Sequence, residues 1–217
     1  MIKCSAFLID LDGTLVDSYR DAEVCWRDWA RSVGAINHFD FTKLFGRRRA
    51  EIILTVLPGL PAEEVRKHSE YVRLSEGKFT DNVTALPGSA QLLEMLPKSS
   101  WAIVTSNDRE VAKARVRAAG LPMPDVLLTE DEVERGKPDP EGLLLAAEKL
   151  NTNPSNCLAI DDSPVGIEAA YRAGMPSIAV RYRYGDSALH RANLIVDSLS
   201  SLLVTKVRDG FEVSKHE

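Results

Sequence analysis

The chain has 217 residues, with 27 Lys and Arg against 32 Asp and Glu, for a formal net charge of −5. At 44% apolar residues it can fill one sizeable core, or a core plus a smaller unit, which excludes global disorder. The acidic balance argues against a general nucleic-acid binder, no apolar run approaches the roughly 20 residues of a membrane span, and no signal peptide precedes the first apolar stretch, so a cytoplasmic location with no membrane partner is expected.

Ile2 to Ile9 reads as a strand and ends at Asp10-Leu11-Asp12-Gly13-Thr14. Ala22, Cys25, Trp26, Trp29, Ala30 and Val33 recur at three and four, predicting a helix over 18–33 that Gly34 stops. The two tryptophans fit the packing stripe of that helix. A second helix is expected from Arg48 to Leu57, before Pro58-Gly59, and a third opens at Pro61, a good first-turn residue. Residues 16–84 therefore read as all-helical. Beyond them helices and short apolar strands alternate. Strands are expected at Trp101–Val104, Val126–Leu128, Cys157–Ile160 and Ser177–Val180, and helices at 91–96, 109–119, 141–150 and 164–173. Leu194–Val196 reads as one more strand, and 203–207 with 211–213 as a terminal hairpin.

Alternating strands and helices predict an α/β fold, a doubly wound parallel sheet whose strands lack polar alternation because both faces are covered. The helical block is too long for a βα connection. It is better read as an inserted all-helical domain, 16–84, within a core of 1–15 and 85–217, with linkers at Asp17-Ser18 and Ala85-Leu86-Pro87-Gly88.

Ligands of such sheets bind beyond the C-terminal strand ends. Polar groups stand there after each strand: Asp10 and Asp12, then Thr105-Ser106-Asn107-Asp108, then Asp161-Asp162-Ser163, with Gly136-Lys137-Pro138 ahead of the helix at 141. Two acids spaced two apart at a strand end can converge on one site, and they repel unless a shared proton or a divalent cation offsets their charge. Acids for a cation, joined by a hydroxyl, a lysine and loop N–H groups for an anion, suit a metal-assisted site for a phosphate. The three cysteines, Cys4, Cys25 and Cys157, lie far apart in apolar stretches and read as buried free thiols. The four histidines form no HxxH or HExxH pair, which argues against zinc. Helix capping explains Asp161-Asp162-Ser163 ahead of Pro164 as well, and capping and ligation can coexist.

In this order, Asp10-Leu11-Asp12-Gly13-Thr14, Thr105, Gly136-Lys137-Pro138 and Asp161-Asp162-Ser163 resemble the four motifs of the haloacid dehalogenase superfamily, over nearly the whole chain. The inserted block resembles that superfamily's helical cap. Leu86-Pro87-Gly88, Ile103-Val104-Thr105-Ser106 and the terminal hairpin are similar to sugar phosphatases of the β-phosphoglucomutase-like branch. The resemblance implies Asp10 as nucleophile and Asp12 as general acid and base. It implies Mg²⁺ on Asp10, the Asp12 carbonyl and Asp162, with Asp161 either binding metal through water or orienting Asp162 or Lys137. It further implies Thr105, Ser106, Asn107 and Lys137 on the phosphoryl group, although Ser106 and Asn107 serve equally well as a cap for the helix at 109. Asp at position 12, where dehalogenases carry an aromatic, implies phosphate chemistry. Within Gly46-Arg47-Arg48-Arg49 the resemblance implies substrate contact, here at Gly46 and Arg47, and a solvated basic face is the competing reading. The expected substrate is a small sugar phosphate or similar phosphomonoester, and the expected state a monomer or weak dimer. A phosphoglucomutase-like phosphotransferase would carry a His near Ala22, which is absent. A catalytically idle phosphosugar-binding module is the remaining alternative.

Overall fold

The chain is seen in a computed structural model that describes residues 1–216, the Lys43 side chain excepted. Its first half holds β1 (Ile2–Cys4), β2 (Ala6–Ile9), β3 (Val16–Asp17), α1 (Tyr19–Ser32), α2 (Arg49–Val56), α3 (Ala62–Glu76), β4 (Thr84–Ala85) and α4 (Ser89–Met95). There follow β5 (Trp101–Val104), α5 (Arg109–Ala118), β6 (Val126–Leu128), α6 (Glu141–Lys149), β7 (Cys157–Asp161), α7 (Pro164–Arg172), β8 (Ser177–Val180), α8 (Asp186–Leu189), β9 (Leu194–Val196), β10 (Leu202–Val207) and β11 (Gly210–Lys215).

The main sheet runs β6-β5-β2-β7-β8-β9 with every pair parallel. Successive side chains of β2 face opposite ways. Phe7 and Ile9 join one apolar layer with Ala112 and Val116 of α5 and Leu92 and Leu93 of α4. Ala6 and Leu8 join the other with Ala146 and Ala147 of α6 and Ala169 and Ala170 of α7. Both faces are covered, which is why the strands read as unbroken apolar runs. From β2 the chain first builds outward through β5 and β6, then returns to β7 on the other side of β2. The end of β2, where Asp10 sits, is thus the switch point at which such sheets bind ligands.

Three local readings change. The expected strand 2–9 breaks at Ser5, whose N–H donates to the Asn156 carbonyl at 2.7 Å. Its first half leaves the main sheet and pairs antiparallel with β11, forming a separate sheet with β10. Within the block read as all-helical, the segment between α1 and α2 holds only two short 3-10 turns, Ile36–His38 and Phe41–Lys43. Aromatic anchoring by Phe39, Phe41 and Phe45 replaces helical periodicity there. The two linkers are β-paired: Val16 lies against Ala85 and Asp17 against Thr84.

The helices from 19 to 76 bury a cluster of their own, with Trp26, Trp29, Phe41, Ile53 and Val72 at its centre. Trp26 and Trp29 meet edge to face at 5.4 Å between centroids, and the Trp29 indole donates to His68 Nδ1 at 3.2 Å, so its buried N–H is satisfied. Asp21, on the buried face of α1, accepts from the Asn82 backbone N–H at 2.8 Å and its side-chain amide at 2.7 Å, tying the start of the block to its end. The three cysteines are free and buried, and burial pushes the Cys4 and Cys25 thiols up to about 12 and Cys157 to about 11. No helix among the described residues is long and apolar enough to cross a membrane.

Trp29→Ala should cost about 3–5 kcal/mol in urea unfolding, because a fully buried indole leaves a cavity. Val24→Ala, on the exposed side of the same helix, should change stability by less than about 0.5 kcal/mol.

Candidate active site

Strand ends and helix starts converge on one cavity. Asp10 follows β2, its N–H bonded to the Ile160 carbonyl at 2.9 Å, and Thr105 follows β5, its N–H bonded to the Leu128 carbonyl at 3.0 Å. Lys137 reaches in from the loop before α6. Its ammonium donates to Asp10 Oδ1 at 2.5 Å, Asp161 Oδ2 at 2.7 Å and the Val104 carbonyl at 3.2 Å, so each of its three donors has an acceptor. Asp161 Oδ1 accepts from the Ser163 N–H at 2.9 Å and hydroxyl at 2.7 Å, and Ser163 caps α7 through the Gly166 N–H at 3.1 Å. Capping and site geometry are therefore built from the same residues.

Asp10, Asp161 and Asp162 each present a carboxylate oxygen within 4.8 Å of the others. Burial pushes the Asp10 carboxyl up to about 7: Lys137 opposes the shift, while Asp161 and Asp12 add to it. Burial, then Asp161 and Asp10, hold Asp162 well above the usual carboxylate range. For Lys137 burial acts in the opposite sense. Burial favours its neutral form, but Asp10 and Asp161 outweigh that and raise its pKa. Three carboxylates, one lysine and no sulfur or imidazole make a hard-oxygen set with surplus negative charge, which a divalent cation fits. Backbone space is also reserved here. Gly13 has a φ of +85°, and a Cβ on it would lie 2.5 Å from Asp162 Oδ2. A Cβ on Gly166 would lie 1.9 Å from the Asp161 carboxyl carbon.

Asp12 is in a different setting. Its Oδ1 accepts from the Ser18 hydroxyl and from Arg115 at 2.8 Å, and its Oδ2 accepts from the Asn107 amide. Asn107 also bonds Thr105 Oγ1, through its N–H at 3.2 Å and its amide at 3.1 Å. Thr105 Oγ1 accepts twice, which leaves its own O–H free to donate into the cavity. Ser106 lines the same cavity. The cap of the following helix is neither Ser106 nor Asn107 but Asp108, whose Oδ1 accepts from the Glu110 and Val111 N–H groups at 2.9 and 3.0 Å.

The helical block supplies the opposite wall. Gly46, Arg47, Ala22, Trp26, Phe45 and Ile52 line the cavity. Arg48 turns away and donates to the backbone carbonyls of Glu134 (3.0 Å), Glu130 (3.2 Å) and Val133 (2.9 Å) in the core. Sequence reasoning missed a buried ionic chain. Arg115 links Asp12 to Glu76 Oε1 at 3.0 Å; Glu76 Oε2 accepts from Arg49 at 3.0 Å; and Arg49 also pairs with Asp108 and, at 2.5 Å, with Glu130. Arg115, Glu76 and Arg49 are only 3%, 4% and 6% exposed. Burial alone would lower both guanidinium pKa values, but Asp12 and Glu76 raise that of Arg115, and Glu76, Glu130 and Asp108 that of Arg49. A signal was present. Arg115 shares the buried stripe of Val111, Ala112 and Val116, and Glu76 that of Val65 and Val72. A charge on an apolar helix face needs a partner.

The haloacid dehalogenase-like hydrolase family model matches residues 4–174. The chain belongs to this family. Hexitol phosphatase A of Escherichia coli is 37% identical over 213 residues, covering 96% of this chain and 98% of the relative. Validoxylamine A 7'-phosphate phosphatase of Streptomyces hygroscopicus is 31% identical, covering 90% and 94%. The crystal structure of β-phosphoglucomutase from Clostridium difficile superposes with a TM-score of 0.80 at 28% identity, covering 92% of each chain. Within the superfamily the chain falls in the β-phosphoglucomutase-like branch.

Arg115→Met should destabilise the fold by about 3–5 kcal/mol, since Asp12 and Glu76 lose a shared buried cation. Replacing Glu76 by Met in the same chain should recover part of that loss, with a coupling of about 1 kcal/mol or more in a urea-unfolding double-mutant cycle.

Proposed function

We propose that the protein is a Mg²⁺-dependent phosphatase of small phosphomonoesters, chiefly sugar and polyol phosphates, that works through an aspartyl-phosphate on Asp10. The observation that carries this reading is the division of labour between two carboxylates two residues apart. Asp10 Oδ1 sits on Lys137 inside the cation-binding cluster, whereas Asp12 is held outside it by Arg115, Ser18 and Asn107. The hexitol phosphatase relative, alike over nearly the full length of both chains, supports the substrate class.

In this scheme Lys137, exchanging one of its present acceptors for a non-bridging phosphoryl oxygen, and the Thr105 hydroxyl bind the phosphoryl group and fix the phosphorus in line with Asp10. An Asp10 oxygen bonds to phosphorus as the bond to the leaving oxygen breaks. Asp12 has Oδ1 anchored twice, so Oδ2, held only by the Asn107 amide, carries the proton to the leaving alkoxide. The same atom then takes a proton from the water that attacks the acyl phosphate, and inorganic phosphate departs with Asp10 restored. Asp10, Asp162 and the Asp12 carbonyl, with Asp161 alongside, would hold Mg²⁺, which when bound would offset the negative charge of nucleophile and phosphoryl group. Residues 16–84 act as a cap over the core formed by 1–15 and 85–217. The cavity between them, partly open to solvent, has a volume of about 40 Å³, room for about three waters, so the cap would lift to admit a sugar phosphate. Ala22 on the cavity wall offers no group to move a proton on a sugar hydroxyl, which favours transfer to water over phosphotransfer.

Asp10→Asn should lower turnover of p-nitrophenyl phosphate by about 10⁴-fold or more, equivalent to ~5.5 kcal/mol of barrier, while the protein still unfolds cooperatively in the absence of metal. A variant that keeps a tenth of wild-type activity would rule out Asp10 as nucleophile. Mg²⁺ should raise the melting temperature of the wild type but not of Asp162→Asn, and chelation should stop turnover. A melting temperature indifferent to Mg²⁺ would remove the cation from the scheme.

A further inference from the structure

Two guanidinium groups, Arg49 and Arg115, point into the cavity that holds the phosphoryl site. Left alone, they would make a second anion-binding site opposite Lys137 and Thr105, and a bisphosphate or a phosphorylated acid could span the two. They are not left alone. Glu76, at the end of α3, places one carboxylate oxygen on each at 3.0 Å, and Asp12, Asp108 and Glu130 take further donors. Two cations thus face four carboxylates in a region nearly sealed from water, where screening is weak. Arg47 also lines the cavity, but it is exposed, so solvent damps its pull on an anion.

We propose that Glu76 is the specificity-determining residue that restricts this site to monophosphates whose far end is an uncharged polyhydroxy chain. Its two oxygens offer about four acceptor sites and spend two on the arginines. The remainder can accept from substrate hydroxyls, which donate. A carboxylate or second phosphate on the substrate has no proton to give, meets a like charge, and must compete with Glu76 for guanidiniums that are already paired. The neighbouring Ile52, Phe41 and Trp26 give the carbon chain an apolar wall. The inference rests on the sugar and polyol phosphatase reading above, and adds which residue rejects a charged distal group.

Glucitol 6-phosphate and 6-phosphogluconate form a matched probe pair, identical but for a terminal CH₂OH in one and a carboxylate in the other. Wild-type kcat/KM should favour the polyol by about 100-fold or more, a ratio in line with like-charge juxtaposition. In Glu76→Gln the ratio should narrow at least about tenfold, whereas Glu76→Asp, which keeps the charge, should hold most of it. Because the readout is a ratio, a general loss of activity in either variant leaves it interpretable. Should Glu76→Gln fail to fold, the order of the two compounds as inhibitors of wild-type p-nitrophenyl phosphate turnover decides, with tighter inhibition by the polyol expected. Equal wild-type use of acid and polyol, equal inhibition, or an unchanged ratio in folded Glu76→Gln would overturn the role of Glu76 alone. Hydrolysis of p-nitrophenyl phosphate but of neither probe would instead overturn the substrate class, and the proposal with it.

Discussion

The structure depends on how one lysine offsets a crowd of carboxylates. Asp10, Asp161 and Asp162 meet at the ends of neighbouring parallel strands because β2 pairs with β7 in a register that sets Ile9 beside Ile160. The sheet cannot form in this order without bringing the three acids together, and burial makes their repulsion stronger than it would be in water. Lys137 answers this from a loop almost 130 residues away in sequence from Asp10, by spending its three donors on Asp10, Asp161 and the Val104 carbonyl. Much else follows from that crowding. Gly13 and Gly166 are bare because any Cβ would strike a carboxylate, and Ser163 is turned to bond Asp161 while capping α7. One ammonium against three acids still leaves a deficit of positive charge, which is what makes the site receptive to a cation.

The parts of this arrangement that could be read from sequence are those carried by short-range pattern. Parallel strands buried on both faces announce themselves as apolar runs, and polar residues at their ends mark the ligand side of the sheet. The helices of the core, and the interruption of the sheet after its first strand, followed from spacing and length. What stayed hidden was set by contacts far apart in the chain. Ser5 gave no sign that the first strand would be divided between two sheets, because the signal is the approach of Asn156 and β11. Phe39, Phe41 and Phe45 hold a non-helical segment by ring contacts that no period encodes. Asn107, grouped in sequence with residues expected to bind phosphate, spends its amide on Asp12 and Thr105. Arg115 and Glu76 were visible as charges on apolar stripes, yet their mutual pairing spans two units that sequence periodicity treats separately.

That pairing gives Asp12 its special position among the acids. It is the only one of the four motif carboxylates joined through a single guanidinium to the helical block. If the block is a cap, its displacement withdraws Glu76 from Arg115, and Arg115 then rests on Asp12 and Asn107 alone. Asp12, the acid proposed to handle the leaving-group proton, thus sits in an electrostatic setting completed by the helical block, while Asp10, the proposed nucleophile, sits in one built from the core. On the proposed roles, metal and phosphate binding would rest on the sheet, and proton handling would rest where the helical block can bear on it.

The chemistry of the interface says which way the cap can yield. Inside the block the core is apolar, its rings packed both stacked and edge to face, and separating them would cost the transfer of tryptophan and phenylalanine surface to water. Between block and core several key links are polar: Arg48 on three backbone carbonyls, Arg49 on Asp108 and Glu130, Glu76 on Arg115. Each of those groups gains water when it parts from its partner, so lifting the cap exchanges ion pairs for hydration at modest net cost. The linkers β3 and β4 pair with each other, and the Tyr182 hydroxyl donates to Asp17 at 2.6 Å, so this ribbon would persist in such a motion. In the proposed cap motion the block would turn as one body about that ribbon, and the residues that fasten it here, Arg48, Arg49 and Glu76, would be the ones to part from the core.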